Sequence, residues 1–218
     1  MDFAHARYNM VEQQIRPWDI LNFELLDVLS EIPREYFVLP EHQALAYVDE
    51  SLPLANGQFM PEPRVIAKMV QALNIQKTER VLEIGTGSGY GAAVLAGLAQ
   101  SVLSLDTDIK QLEFARNALV KAKVQNVQLD LRDGLADLAD LGQFDVIYVG
   151  GSVQSIPNSL INALKDQGRL IAVVGKGTLM SATLITRRGN DLQQVALFET
   201  STQSLTAPNV AAKPVFEF

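Results

Sequence analysis

The chain has no cysteine, which removes disulfides, zinc–thiolate sites and thiol nucleophiles together and agrees with a reducing compartment such as the cytoplasm. Histidine is nearly as scarce. His5 and His42 are the two copies, neither has a serine or aspartate partner near it in sequence, and neither is expected to be catalytic. No run of lysine or arginine stands out, and 18 basic against 25 acidic residues give a net charge of −7, which argues against long nucleic acid as a partner. Apolar runs such as VIYVGG and LIAVVG fall well short of the roughly 20 residues that a membrane helix needs. The opening MDFAHARYNMVEQQIRP places an acid and polar residues where an export signal would show basic residues and then an apolar stretch. A soluble, cytoplasmic protein is expected, with no membrane association and no metal centre. Arg16, Arg34 and Lys176 read as solvated or paired cations rather than as substrate ligands.

What is present reads as α/β. With 218 residues and no repeat or low-complexity linker, the chain suits one domain: residues 1–79 as a helical extension with a substrate-side loop, and residues 80–218 as the cofactor-binding core. Residues 8–31 have helical spacing with a break at Arg16-Pro17-Trp18, and Pro33 closes the second piece. A further helix follows Pro63, with Val65, Ile66, Met69, Val70 and Leu73 on one face. Strands are predicted at 80–84, 101–105, 127–131, 144–149 and 169–174, with helices at 90–99, 108–122 and 157–166 between them. Such alternation of nearly continuous apolar strands with helices predicts a doubly wound, mostly parallel sheet covered on both faces. The end, ATLITRR-GND-LQQVALFE, is two alternating runs about Gly189-Asn190-Asp191 and predicts an antiparallel hairpin closing the sheet.

The first of these strands runs into EIGTGSGYGA, with glycines 85, 87 and 89 in a GxGxG spacing at a strand-to-helix turn. Bare backbone there lets a ligand lie close to helix amides, although a glycine turn alone is also compatible with a purely structural role. Asp106 ends the second strand, where a carboxylate can accept both hydroxyls of an adenosine ribose, and Asp133-Gly134 ends the third, within reach of an adenine. A dinucleotide-type GxGxxA can be drawn through Gly87, Gly89 and Ala92, but that register lies deep in the helix. Gly85, directly after the strand and two residues past Glu83, is the natural first turn residue. The pattern favours S-adenosylmethionine over a dinucleotide.

Several segments in order, MVEQQIRP, IPREYFVLP, AYVDESLPLANGQ, VLEIGTGSGYGAAVLA, RDG and IPNSLINALKDQGRLIAVVG, make the chain resemble the protein-L-isoaspartate O-methyltransferases, with the likeness fading after about residue 176. The resemblance implies a Rossmann-like class I S-adenosylmethionine-dependent methyltransferase fold. It implies that Glu83, Gly85, Thr86, Gly87, Asp106, Asp133 and Gly134 hold the cofactor. It also implies methyl transfer to the α-carboxylate of L-isoaspartyl residues in damaged proteins. A carboxylate acceptor is already ionised at neutral pH, so its attack on a sulfonium methyl needs alignment rather than a general base.

One position departs from the family. The stretch similar to NGQFMPEPRVIAKM carries in the family a Ser or Thr hydroxyl that faces the methyl group and the substrate carboxylate, and here Pro61 stands at that position. Proline offers neither a hydroxyl nor a backbone N–H, so isoaspartyl turnover is expected to be weak. Prolines 61 and 63 hold the loop stiff. Glu62 between them is expected to point into water; facing inward it would repel an anionic acceptor or attract an amine. Two other readings therefore stand at this stage: a family member with a changed acceptor, and a non-catalytic cofactor-binding or interaction module.

Overall fold

The computed structural model describes residues 2–205; residues 206–218 of the expected core lie outside the described part. Helix α1 (Phe3–Asn9) begins at Phe3 rather than Tyr8, because the Asp2 carboxylate caps it by accepting the His5 N–H at 3.0 Å. The helical path continues through Ile15 and a tight helical turn at Arg16–Trp18, then breaks at Asp19, whose φ is 61°, just past the break predicted at Arg16-Pro17-Trp18. Helix α2 (Phe23–Glu31) is capped by Asn22 and stops one residue before Ile32, which is extended as a residue preceding proline must be. Two short strands, β1 (Leu52–Pro53) and β2 (Phe59–Met60), pair antiparallel and lead into α3 (Pro63–Leu73). Helix α3 buries Val65, Ile66, Met69, Val70 and Leu73, the predicted face.

The central sheet has seven strands: β3 (Arg80–Ile84), β4 (Ser101–Asp106), β5 (Val127–Leu131), β6 (Phe144–Val153), β7 (Leu164–Lys176), β8 (Leu179–Arg188) and β9 (Asp191–Glu199). Their order is β5-β4-β3-β6-β7-β8-β9, parallel from β5 to β7 and antiparallel from β7 to β9. The hairpin is as expected, but its turn is the two residues Gly189 and Asn190, since Asp191 already pairs with Arg188. Gly189, at φ 60°, takes the left-handed conformation that such short turns require.

Helices α4 (Tyr90–Leu98) and α5 (Ile109–Lys121) match their predicted spans closely. The helix expected over 157–166 does not: α6 is Asn158–Asn162, and Leu164 is already paired with Phe144 in the sheet. The Phe144 N–H bonds to the Ala163 carbonyl at 2.8 Å, so the sheet captures the backbone after little more than one helical turn.

Strand alternation sorts the core into two layers. Val81, Val102, Val146, Ile171 and Val173 face α3, α4 and the N-terminal helices, while Leu82, Ile84, Leu103, Leu105, Ile147, Val149 and Leu170 face Leu138, Leu160 and Ala163. The N-terminal segment thus shares one apolar cluster with the sheet. Strand order reverses between β3 and β6, and in open sheets the ligand crevice lies at the carboxyl ends of the strands beside such a reversal. Among the described residues no helix is long and apolar enough to cross a membrane.

Helix α4 is sandwiched between the sheet and α2 so closely that a Cβ at Gly97 would lie 2.6 Å from Val28 Cγ1. Gly97→Ala is therefore expected to destabilise the protein by about 1–3 kcal/mol despite alanine's better helix propensity. Adding Val28→Ala should recover much of that loss, as read by urea denaturation. An additive double variant would show that this contact does not set the packing distance.

Candidate cofactor and acceptor site

The glycine turn is tied down before any ligand arrives. Gly85 and Thr86 both donate to the Leu105 carbonyl, at 2.8 and 3.2 Å, which fixes the turn against β4. Gly85, Gly87 and Gly89 have φ values of 85°, 51° and 84°, so all three glycines of the GxGxG spacing adopt the left-handed region. Ala92 is buried inside α4, which agrees with Gly85 as the first turn residue. The N-terminal loop packs on this turn, with the Ser88 hydroxyl donating to the Met60 sulfur at 3.1 Å.

The acids sit where the strands end. Asp106 accepts from the Gly87 N–H at 2.9 Å and from the Asp108 N–H at 3.0 Å, one bond to each oxygen, so each oxygen keeps a lone pair for a further donor. Asp133 accepts from the Leu135 N–H at 2.9 Å through one oxygen, beside Gly134. Glu83 is wholly buried at the end of β3 and accepts from the Ser104 hydroxyl. Ser104's single proton being committed there, the Thr86 hydroxyl donates to Ser104 at 2.6 Å. Burial pushes the Glu83 carboxyl up to about 8, the charge of Asp106 adding to the effect and the Ser104 bond opposing it. Among the described residues it has no ion-pair partner. Tyr148 packs in the same wall, its hydroxyl also pushed up by burial.

These groups line one cavity of about 850 Å³, open mouth included, formed by Gly85–Ser88, Asp106, Asp133, Gly134, Glu83, Gly150, Gly151 and the N-terminal loop around Met60 and Pro61. Glu83, Gly85, Thr86, Gly87, Asp106, Asp133 and Gly134 thus all come together. The one cationic lining residue among the described residues is Arg132, already paired with Asp140 at 2.7 Å and Asp130 at 3.5 Å. A cavity with carboxylates at its ends and no free cation suits an adenosyl cation better than a pyrophosphate.

A second cavity adjoins it, lined by Ser51, Phe59, Pro61, Glu62, Gly177, Met180 and Ser201–Gln203. Phe59, Pro61 and Gln203 line both. Glu62 is half-buried in this wall rather than pointing freely into water. Arg34, expected to be solvated or paired, is fully buried and has no ion-pair partner among the described residues. Its guanidinium donates to the carbonyls of Ala46 at 2.5 Å and Pro61 at 3.2 Å and lies 5.2 Å from the centre of the Tyr90 ring. Burial lowers its pKa to about 10, which still leaves it charged at neutral pH. Arg16 pairs with Glu12 at 2.9 Å on the surface, and Lys176 is exposed. His5 is exposed, His42 half-buried, and neither lines a cavity.

Sequence reasoning missed the roof. Ser152 donates through its N–H to the Gln203 carbonyl and through its hydroxyl to the Thr202 carbonyl, and it accepts the Leu205 N–H, each at 2.9 Å. Gly151 permits this approach, because a Cβ there would lie 2.9 Å from the Gln203 carbonyl oxygen. The Gly150-Gly151 pair inside an otherwise apolar strand was the available signal.

The family model for protein-L-isoaspartate(D-aspartate) O-methyltransferases matches residues 6–203. A protein-L-isoaspartate O-methyltransferase of Bradyrhizobium sp. (strain ORS 278) is 44% identical over 166 residues, 76% of this chain and 77% of the relative. One of Aliivibrio fischeri (strain MJ11) is 35% identical over 208 residues, 95% and 99% of the two chains. A solved Plasmodium falciparum structure, described as a protein-L-isoaspartate O-methyltransferase in complex with S-adenosyl-L-homocysteine, superposes with a TM-score of 0.81 at 19% identity and covers 94% of this chain and 99% of that one. A second solved protein-L-isoaspartate O-methyltransferase gives 0.79 at 23% identity, over 92% of this chain and 66% of that one. The architecture is shared with both.

The raised pKa of Glu83 sets a pH dependence for the ligand-free protein. Between the ordinary glutamate value near 4.5 and the folded value of about 8, the unfolded chain carries Glu83 ionised while the fold keeps it protonated. Its contribution to stability is therefore fully present below the lower value and is lost as pH rises through the higher one. Glu83→Gln keeps a hydrogen-bonding amide and should flatten stability against pH in that window, as measured by thermal melts. An unaltered profile would show that Glu83 is ionised in the fold throughout.

Proposed function

Because the chain belongs to the protein-L-isoaspartate(D-aspartate) O-methyltransferase family, we propose that it transfers a methyl group from S-adenosylmethionine to the α-carboxylate of L-isoaspartyl residues in damaged proteins. The observation that carries this reading is the meeting of two cavities at Phe59, Pro61 and Gln203, one edged by the glycine turn and the strand-end acids, the other open to a peptide. The cofactor, when bound, supplies an electrophilic methyl on a sulfonium. Asp106 accepts the ribose hydroxyls, Asp133 and Gly134 flank the adenine, and the bare backbone of Gly85–Gly87 lets the ligand lie against the turn. Glu83 receives positive charge, a role for which a buried carboxyl without an ion pair is suited.

At the acceptor side the chain has little to do except align. The acceptor carboxylate is ionised, so no side chain needs to remove a proton, which agrees with the distance of both histidines from the site. The stiff MPEP corner and the Arg34 bond to the Pro61 carbonyl hold the junction between the cavities in one place, so an acceptor carboxylate would meet a fixed wall there. A second reading, an amine or hydroxyl acceptor, draws on Glu62 in the wall of the second cavity. The cysteine-free composition is compatible with work in the cytoplasm.

The deciding measurement is radiolabelled methyl transfer to an isoaspartyl peptide against its ordinary aspartyl counterpart; transfer to the first alone is expected, and transfer to neither would overturn the reading. Asp106→Ala should weaken cofactor binding by about 1.5–3 kcal/mol in titration calorimetry, through loss of charge-assisted bonds. Pro61→Ser should raise isoaspartyl turnover by roughly a few-fold or more, because a hydroxyl is added while the backbone carbonyl held by Arg34 stays in place. No gain, with cofactor affinity intact, would remove position 61 from the acceptor site.

A further inference from the structure

The proposed reaction leaves a gap: with Pro61 at the junction, something else must donate a hydrogen bond to the acceptor carboxylate. Among the described residues the second cavity is lined by one acid, Glu62, and by no lysine or arginine, so the donor has to be a neutral group. Ser51, Ser201 and Gln203 are exposed, and water competes for whatever their side chains offer. Thr202 differs. It lines the cavity, yet its Oγ1 is out of contact with solvent in the ligand-free fold and has no hydrogen-bond partner among the described residues.

Buried hydroxyls are nearly always paired, and one that is not weakens the folded state unless something else requires it. The segment that carries it is fixed in advance. The Thr202 carbonyl accepts from the Ser152 hydroxyl, the next carbonyl accepts from the Ser152 N–H, and Leu205 donates back to Ser152, all at 2.9 Å. Neither loop mobility nor local bonding therefore consumes this hydroxyl. It stands in a dry place, where a hydrogen bond to an anion is stronger than in water.

Resting on the methyl-transfer reading above, we propose that Thr202 donates through Oγ1 to the acceptor carboxylate. The donor that the family draws from the MPEP-like loop is thus supplied here by another segment lining the same cavity, the one after β9. Thr202 is a substrate-positioning residue: it forms no covalent bond and moves no proton in the transfer.

The test compares Thr202→Val and Thr202→Ser with the wild type in steady-state methylation of an isoaspartyl peptide, together with S-adenosylmethionine affinity and melting temperature. The valine variant should lose about ten- to a hundred-fold in kcat/KM, the range for a hydrogen bond to a charged group, with cofactor affinity unchanged. Its melting temperature should be equal or higher, since an unpaired buried hydroxyl has been removed. Serine should retain most activity, and Pro61→Ser should restore part of it in the valine background by returning a donor at position 61. Thr202→Ala gives the same comparison if valine is not accommodated. Wild-type turnover in the valine variant would overturn the assignment and leave methyl transfer standing, as would a loss of activity accompanied by lower cofactor affinity and lower melting temperature. If the wild type methylates no isoaspartyl peptide, the methyl-transfer reading fails by itself. Peptide affinity of the S-adenosylhomocysteine complex then decides the role of Thr202: tighter binding by wild type than by Thr202→Val upholds it, and equal or absent binding overturns it.

Discussion

A charge placed out of reach of water, on Arg34, ties the N-terminal third of this chain to its catalytic core. A buried guanidinium is costly unless its protons find acceptors; here the two terminal nitrogens donate to the backbone carbonyls of Ala46 and Pro61 beside the face of Tyr90, while Nε has no partner among the described residues. The three contacts join the loop after α2, the entry to α3 and the first residue of α4. Fold and site therefore share one fastener. The Pro61 carbonyl is one of the two acceptors that the buried arginine has, so a shift of the wall at Pro61 would cost a buried cation one of its hydrogen bonds.

Much of this was legible from the sequence, for reasons that are themselves local. A glycine directly after an apolar strand and an acid at the end of the next one mark strand ends, and in a doubly wound sheet strand ends converge; so Gly85, Asp106 and Asp133 could be placed together without a structure. The helical face of α3 followed from periodicity alone. Arg34 could not be read in this way, because an arginine after a proline looks the same in sequence whether water or two carbonyls receive it. The boundary between α6 and β7 failed for a related reason: LINALKDQ has tolerable helical spacing, and what stops it is pairing with Phe144, a long-range event. The roof over the cavities left only the Gly150-Gly151 pair as a signal, since TSTQSL carries no periodicity and its bonds to Ser152 are long-range, with the hydroxyl bond to Thr202 spanning 50 positions.

The two cavities differ in how they handle charge. In the first, Glu83 is kept neutral by burial and by the nearby Asp106, while Asp106 keeps lone pairs free for hydroxyl donors. A cationic ligand would let Glu83 ionise, so affinity for it and proton release are linked. The second cavity has Glu62 in its wall and no basic residue among those described, so its discrimination between acceptors rests on placement of neutral donors and on shape. On the proposed reading, recognition in the first cavity is mainly electrostatic, and recognition in the second mainly geometric.

The dependence of the roof on Ser152 also has a temporal side. During synthesis β6 emerges well before residues 201–205, and until those residues arrive the N–H, carbonyl and hydroxyl of Ser152 lack the partners they have in the finished protein. Pro61 and Thr202, which line the second cavity together, stand far apart in sequence, and closures of that kind are costly in loop entropy. The glycine turn and the strand-end acids that line the first cavity thus precede in sequence the segment that completes the second. On that reading, completion of the second cavity is a late property of the molecule, and one that depends on residues 201–205 reaching Ser152.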